Sequence, residues 1–224
     1  MRGILRMIGG GGTVANTVWD GLQGYWNADN NPNDSKGSNN GTLVNGAGYG
    51  IGKINEGFEL DGVSQHLTTG VRLGFSNTDT HTYSVWAKID EIKNRGLVTN
   101  CDLITGSSLG IWNGGKLTLL KGSVQAQSYG TTTLTTGTFY HLAITHDVFD
   151  GVTANVKFYV NGVADGANIF DIGVSVTPRT QIIGSALTLP SYFNGTLDEI
   201  GIWDRVLTPT EITELYNSGA GLQY

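Results

Sequence analysis

Apolar residues recur at every second position along several short segments of the chain. In residues 82–89 one face collects Tyr83, Val85, Ala87 and Ile89, and residues 140–145 and 156–160 have the same period. Because successive side chains of a strand point to opposite faces, this period of two predicts β-strands that each bury one face.

Two glycine-containing turns separate pairs of these segments. Asn161-Gly162 follows one strand-like run, and Asn113-Gly114-Gly115 stands between two others. A tight hairpin turn needs positive φ at its central residues, which Asn and Gly adopt at low cost. Short strands joined by such turns predict an all-β fold, namely a sandwich of two antiparallel sheets.

One segment near the C-terminus has a helical pattern instead. Thr208 is suited to cap a helix, Pro209 fits its first position, and Glu211 completes a capping box. Apolar residues follow at the helical spacing from Ile212 onward. The sequence therefore predicts a single short helix over residues 209–217, packed as a lid on the sandwich.

Composition and charge exclude several classes of protein. The chain has 224 residues, a net charge of −6 and no run of Lys or Arg, so a basic nucleic-acid-binding patch is not expected. No apolar stretch reaches the roughly 18 residues that a membrane span needs. The one cysteine excludes an intrachain disulfide.

The first part of the chain differs from the rest. Residues 1–20 contain a run of four glycines and two arginines, and we predict that they form a flexible N-terminal arm that docks onto other subunits. Residues 21–224 are predicted to form one domain. The helix-forming segment and all the strand-like runs lie within this domain.

Six segments in this order resemble the laminin-G-like jelly-roll domains of the concanavalin A-like lectin/glucanase superfamily. The matching segments are residues 24–29, 57–62, 83–88, 140–145, 158–162 and 193–203. The resemblance covers about residues 22–219 and implies a concanavalin A-like jelly roll. Its members include sugar binders, adhesion modules, glycan-cleaving enzymes and structural domains of phage particles, so the fold alone does not give the function.

The carboxylates do not support an enzyme. Glycan hydrolysis needs two carboxylates that flank the scissile bond. Glucanases of the superfamily carry Glu-x-Asp-x-x-Glu on one strand, but here Glu59 and Asp61 are followed by Ser64 in place of the final Glu. Asp198 and Glu199 are adjacent, so a regular strand would point them to opposite faces. We therefore predict a non-enzymatic protein.

Calcium is the one cofactor that the resemblance suggests. In the superfamily a structural calcium ion often joins the first strand to the last, and Asp29 and Asp198 occupy the corresponding places. The alternative is that Asp198 accepts hydrogen bonds from a turn.

Aromatic residues suggest where a sugar could bind. Trp26, Trp86 and Trp203 lie within patterned strands and are predicted to be core residues. Trp112 and Tyr129 lie near turns of the middle segment, where an aromatic ring could stack on a sugar. We take these two as the candidate glycan-binding residues.

Two functional interpretations follow. In the first, the protein is a structural or surface module of a virion, such as a phage capsid decoration, fibre or tail protein, which could form homo-oligomers and bind host glycans. An initiator Met1, the lack of a signal-peptide pattern and the missing catalytic pair favour this virion-surface location. In the second, it is a secreted or cell-surface module for carbohydrate binding or adhesion.

Overall fold

The computed structural model describes residues 17–69, 73, 78–100, 107–121, 125–148, 150, 153–171, 180–186 and 191–224. The strands in the first half are β1 (Leu22–Trp26), β2 (Gly41–Val44), β3 (Gly48–Ile51), β4 (Glu56–Asp61), β5 (His66–Thr69), β6 (His81–Ile89), β7 (Arg95–Thr99), β8 (Ser107–Trp112) and β9 (Lys116–Lys121). Those in the second half are β10 (Gln125–Thr133), β11 (Phe139–Val148), β12 (Thr153–Val160), β13 (Val163–Asp171), β14 (Ile182–Ile183), β15 (Ser185–Ala186), β16 (Ser191–Tyr192) and β17 (Asn194–Trp203). One α-helix follows them, α1 (Pro209–Tyr216).

The strands form two antiparallel sheets, which confirms the predicted β-sandwich. One sheet has the order β13-β12-β11-β6-β17-β4-β3, and β1 also pairs with β17. The other has the order β10-β9-β8-β7-β14-β5-β2, and β15 pairs with β16 in a separate ribbon. Non-consecutive neighbours such as β6 and β17 bring distant parts of the sequence together.

The larger of the two hydrophobic clusters lies between the sheets. Alternate residues of the central strands point into it, as the period of two predicts, and they leave almost no exposed surface. Its members include Phe58, Leu60, Tyr83, Val85, Leu97, Leu109, Leu142, Phe158, Leu197 and Ile202. Trp26, Trp86 and Trp203 are all buried, as the strand pattern predicted.

The local turn and cap signals are also confirmed. Asn161 and Gly162 connect β12 to β13 with φ of 51° and 76°, the left-handed conformation that this hairpin requires. Thr208 and Glu211 form the predicted capping box at the start of α1. None of the helices in the described part of the chain has the length and apolar character that crossing a membrane requires.

A second hydrophobic cluster covers the outer face of the larger sheet, beneath α1. It contains Val18, Leu22, Tyr25, Ala143, Tyr159, Trp203, Leu207, Ile212 and Leu215. The helix therefore lies on the sandwich as a lid, and the part of this outer face beneath it is closed to solvent.

The structure places the start of the domain earlier than the sequence predicted. Val18 is 2% exposed, and its carbonyl accepts a hydrogen bond of 2.8 Å from the Trp203 indole. The Arg205 guanidinium donates to the carbonyls of Thr17 and Asp20. Residues 17–20 thus belong to the domain and not to the predicted arm of residues 1–20. The sequence did not indicate this, because Val18 packs against Trp203, which lies far away in the sequence. Residues 1–16 lie outside the described residues.

Candidate functional site

An irregularity in β17 brings two acidic side chains to the same face of the larger sheet. The pairing of β17 with β6 shifts register between Asp198 and Gly201, and Glu199 has a φ of 48°. Leu197 and Ile200 both point into the core between the sheets. Both intervening carboxylates therefore lie on the outer face, and the expectation that they point to opposite faces is wrong because a β-bulge breaks the alternation.

Asp198 is fully buried and is held by backbone N–H groups. One carboxylate oxygen accepts hydrogen bonds from the amides of Lys53 and Ile54, at 2.8 and 2.9 Å. The other accepts a 2.8 Å bond from the amide of Glu199. These hydrogen bonds attach the turn between β3 and β4 to β17.

Glu199 is also buried, and it is covered by both ends of the described chain. Its carboxylate accepts a hydrogen bond from the Tyr25 hydroxyl on β1 and one of 3.2 Å from the Gln223 carboxamide. The same Gln223 carboxamide donates to Asp29 at 2.8 Å. The three carboxylates of Asp29, Asp198 and Glu199 therefore form one acidic cluster, which sequence spacing could not reveal.

Burial changes the protonation of this acidic cluster. Desolvation, with a smaller contribution from the charge of Asp29, raises the pKa of Asp198 to about 7 although three amides oppose the shift. Desolvation also raises the pKa of Glu199 to about 8, and repulsion by Asp198 and Asp29 adds to it. The pKa of Tyr25 rises as well, first because of burial and then because of the charge on Glu199.

The contacts of Asp29 and Asp198 bear directly on calcium binding. Both Asp198 oxygens accept backbone N–H groups, and Asp29 accepts from the side-chain amides of Asn27, Asn55 and Gln223. Calcium requires six to eight oxygen ligands, and N–H donors repel a cation. No group of three or more His, Cys, Asp or Glu side chains in the described ranges has metal-binding geometry. This donor set does not fit calcium, and calcium binding stays a prediction from the sequence.

A serine and a histidine meet beneath α1, beside the acidic cluster. The Ser84 hydroxyl and His141 Nε2 are 2.8 Å apart, and His141 Nδ1 has no hydrogen-bond partner among the described residues. Burial lowers the pKa of His141 to about 3, and both residues are almost fully inaccessible. Without an orienting carboxylate on Nδ1 and without access for a substrate, this pair is not a nucleophilic site.

An open groove lies on the edge of the larger sheet that β3 and β4 form. It is at the end of β4 that contains Asp61, away from the acidic cluster. Its cavity volume is about 350 Å³. The residues that line it are mostly polar, with three acids, two amides and one tyrosine, namely Glu59, Asp61, Asp90, Gln65, Asn194 and Tyr49. Tyr49 lies opposite Phe58 and its ring packs against the core, 5.7 Å from the Phe58 ring, so it forms the edge of the groove and not its floor. The volume of the groove falls within the range of small-ligand sites, and its lining is more polar than is usual for them.

Strand register explains how the groove is built. Leu60 points into the core, so Glu59 and Asp61 on either side of it project from the outer face of β4. Asn194 on β17 lies directly opposite Asp61, and the Asp90 amide donates to the Asn194 carbonyl at 3.0 Å. Three separate segments of the chain therefore supply the polar groups of the groove.

Several groove groups are free to bind a ligand. The Tyr49 hydroxyl, the Glu59 carboxylate and the Asn194 carboxamide make no hydrogen bond with another described residue. A side chain added at Gly48 would meet no atom within 4 Å of its Cβ, so space remains above this strand. Asp61 differs, because one of its oxygens accepts three amides of the following turn at 2.8–3.1 Å.

The two predicted sugar-stacking residues lie on the other sheet. Trp112 is half-buried, and its ring lies over Gly110, where an added Cβ would be 2.8 Å from the indole. Gly110 pairs with Thr118, and Thr118 pairs with Tyr129, so all lie on one face. Trp112 and Tyr129 thus share the outer face with β9 between them, and Tyr129 is 37% exposed. Their role as ligand contacts stays a prediction.

Sequence reasoning named Glu59 and Asp61 but missed their neighbours in the groove. The two acids were considered as remnants of a catalytic strand, and their alternation around Leu60 is a signal that they share a face. Tyr49, Asp90 and Asn194 join them only through the pairing of β3 with β4 and of β17 with β4 and β6. No spacing in the sequence indicates that pairing.

Comparison with known proteins gives a consistent result for the fold. A family model, Laminin_G_3, described as the concanavalin A-like lectin/glucanases superfamily, matches residues 61–213. No curated protein matches the sequence. The match spans the central strands, β17 and most of α1.

Solved structures share the fold at low sequence identity. Domain 4 of AbnA, a GH43 extracellular arabinanase from Geobacillus stearothermophilus, in complex with arabinotriose, is 24% identical with a TM-score of 0.69, covering 86% of this chain and 97% of that one. The binding domain of Paraclostridial Mosquitocidal Protein 1 is 16% identical with a TM-score of 0.71, covering 91% and 53%. Trypanosoma rangeli sialidase in complex with sialic acid is 18% identical with a TM-score of 0.65, covering 95% and 35%. This chain spans about half or less of the last two proteins.

The acidic cluster predicts a loss of stability at alkaline pH. Asp198 and Glu199 have folded-state pKa values of about 7 and 8, above their unfolded values, so their protonation stabilises the fold and this contribution is lost as pH rises through that range. Between about pH 6.5 and 8.5 we expect the free energy of unfolding to fall by on the order of 2 kcal/mol. Urea denaturation at the two pH values measures this fall.

A matched pair of variants assigns the effect. Glu199→Gln keeps an acceptor for Tyr25 but cannot ionise, so the fall should shrink by more than half, whereas the exposed Glu214→Gln should retain it. The unfolding measurements are made at pH 6.5 and above. Burial lowers the pKa values of His81, His141 and His146, so at lower pH these histidines take up protons in the unfolded state first and destabilise the fold. An unchanged pH dependence in Glu199→Gln would contradict this assignment.

Chelation tests the role of calcium at Asp29 and Asp198. Because N–H groups surround both carboxylates, we expect EDTA to leave the melting temperature unchanged relative to added calcium. An ion bound only to the folded state would stabilise it by mass action, so a melting temperature that falls in EDTA would restore the calcium hypothesis. Asp198→Asn should then abolish that difference.

Proposed function

This chain belongs to the concanavalin A-like lectin/glucanase superfamily through its Laminin_G_3 match, and we propose that it is a carbohydrate-binding module whose ligand lies in the groove at β3 and β4. The observation that carries the proposal is the groove itself. It combines the Glu59 carboxylate and the Asn194 carboxamide, which make no hydrogen bond with another described residue, with the carboxylates of Asp61 and Asp90 on an open concave edge.

The chemistry of the groove suits sugar hydroxyl groups. Carboxylates accept hydrogen bonds from hydroxyls, and the Asn194 carboxamide can both donate and accept. The pKa of the Tyr49 phenol is raised by burial and by the charge of Glu56, so the phenol keeps its proton and can donate. That AbnA domain 4 was solved with arabinotriose supports a sugar as the ligand of this fold.

Binding without cleavage fits the same residues. The carboxylates with raised pKa values, Asp198 and Glu199, are 0% and 4% exposed beneath the chain ends. In the groove, amides of the following turn bond Asp61 and lower its pKa, which suits a permanent acceptor rather than a proton donor. We propose that the protein is not an enzyme.

The biological setting of the module is a finer proposal. We propose a structural or surface role on a virion, with the segment before Thr17 contacting other subunits or a second copy of the chain. A secreted or cell-surface adhesion module is the alternative, and glycan binding is common to both. The local positive charge of Arg2 and Arg6 in a chain of net charge −6 supports docking onto an acidic neighbour.

Blocking the groove tests the proposed function. Gly48→Leu places a side chain into the open space above β3, and Asn194→Ala removes one hydrogen-bonding group. We expect either change to weaken binding of arabinotriose, or of the best neutral oligosaccharide in a glycan panel, by about tenfold or more. Calorimetric titration measures the affinity, and an unchanged melting temperature shows that the fold is intact.

The two aromatic candidates serve as the comparison. Trp112→Ala and Tyr129→Ala should leave the affinity unchanged if the ligand lies in the groove. Loss of binding in these variants, with normal binding in Gly48→Leu, would place the ligand on the other sheet. Absence of binding to every glycan of the panel, neutral or charged, would overturn the proposed function.

Two truncations test the role of the N-terminal segment. Removal of residues 1–16 should leave the melting temperature nearly unchanged but abolish assembly into oligomers or particles. Removal of residues 1–20 should also cost about 2 kcal/mol or more, because it exposes the surface that Val18 covers and removes the acceptor of the Trp203 indole. Light scattering and thermal melts give both readouts. Normal assembly of the shorter truncation would contradict the docking role.

A further inference from the structure

The groove at β3 and β4 carries an uneven charge. Glu59, Asp61 and Asp90 are exposed carboxylates that line it, and no Lys or Arg among the described residues belongs to the lining. Lys88 is the basic side chain beside it, and its ammonium lies 3.7 Å from Asp90. Even with that pair counted as neutral, two acidic groups remain without a counter-charge in the groove.

The positions of these carboxylates make them act on the same ligand. Glu59 and Asp61 are two residues apart on one face of β4, which separates them by roughly 7 Å along the strand. Asp90, directly after β6, lies beside Asn194, and Asn194 lies opposite Asp61. Asp90 is therefore about two strand spacings, roughly 10 Å, from Asp61. These distances are within about one Debye length at moderate ionic strength, so a charge in the groove interacts with all three groups.

One of the acidic groups, Asp61, is held in place by the backbone. Amides of residues 63–65 hold one oxygen of Asp61 at 2.8–3.1 Å, and the hydrogen bonds lower its pKa. The Glu59 carboxylate lies across the neighbouring strand, since a Cβ at Gly50 would be 2.9 Å from one of its oxygens. A ligand therefore meets one carboxylate fixed by the backbone, that of Asp61, with Glu59 beside it on the same face.

We propose that this groove selects glycans by charge and that its preferred ligands are sugars that bear a free amine. This inference rests on the proposed function, because it names the class of glycan that the same groove takes. A neutral sugar offers hydroxyl groups to the carboxylates, and a protonated amine adds an attraction to each of them. A uronic or sialic acid places a like charge against Glu59 and Asp61 and is rejected.

A set of tetrasaccharides tests the proposal at about pH 6, where amino sugars are cationic. The probes are the glucosamine tetramer, its N-acetylated counterpart with the same backbone, and the galacturonic acid tetramer. We expect the glucosamine tetramer to bind at least about fivefold more tightly than the acetylated one, and the galacturonic acid tetramer not to bind. Raising NaCl from about 50 to 500 mM should remove most of the preference.

Matched variants distinguish attraction by the groove carboxylates from attraction by the net negative charge of the protein. Glu59→Gln combined with Asp90→Asn should abolish the preference for the amine, and it leaves the turn held by Asp61 intact. Glu214→Gln combined with Asp147→Asn removes two exposed acids elsewhere and should retain the preference. Equal loss in both double variants would show attraction to net charge only and would overturn the proposal.

The remaining outcomes distinguish this inference from the proposed function. If neutral oligosaccharides bind and Gly48→Leu blocks them, but the glucosamine tetramer binds no better than the acetylated one, the charge selection is wrong and glycan binding stands. Binding of the galacturonic acid tetramer overturns the charge selection in the same way. If no neutral glycan binds but the glucosamine tetramer does, the charge selection stands and the proposed function is narrowed to sugars that bear an amine.

Discussion

The burial of two adjacent carboxylates in the central strand β17 is the constraint on which much of the structure depends. A buried charge without partners is too costly to persist, so each carboxylate needs hydrogen-bond donors or a proton. Asp198 obtains backbone amides from the turn after β3, while Glu199 obtains the Tyr25 hydroxyl and the Gln223 carboxamide. The same two residues therefore fix the β3–β4 turn, the first strand and the last residues of the chain around β17.

Elements encoded by neighbouring residues could be predicted from the sequence. The two-residue period of β6, the Asn161-Gly162 turn and the capping box at Thr208 each depend on a few consecutive positions, so their signals survive without knowledge of the fold. The bulge at Glu199 could not be predicted, because a non-glycine residue with positive φ leaves no local pattern. The packing of Val18 likewise depends on Trp203, at the opposite end of the sequence.

The candidate site shows the same division. The alternation of Glu59, Leu60 and Asp61 indicates two acids on one face, but the partners that turn this face into a groove come from other strands. Asn194 reaches Asp61 through an antiparallel pairing between distant segments, and Asp90 arrives beside Asn194 by a backbone hydrogen bond. Register between distant strands is a property of the folded sheet, and one sequence without relatives carries little information about it.

The alternation along β4 has a consequence for how this surface can diverge. Phe58 and Leu60 belong to the core, and the residues between and beyond them belong to the groove. Substitutions at the groove positions can alter ligand recognition without changing the residues that pack in the core. A one-residue deletion within the strand would exchange the two sets and turn acidic side chains inward. Related domains should therefore vary here by replacement of single residues, while changes of length accumulate in the adjoining turns.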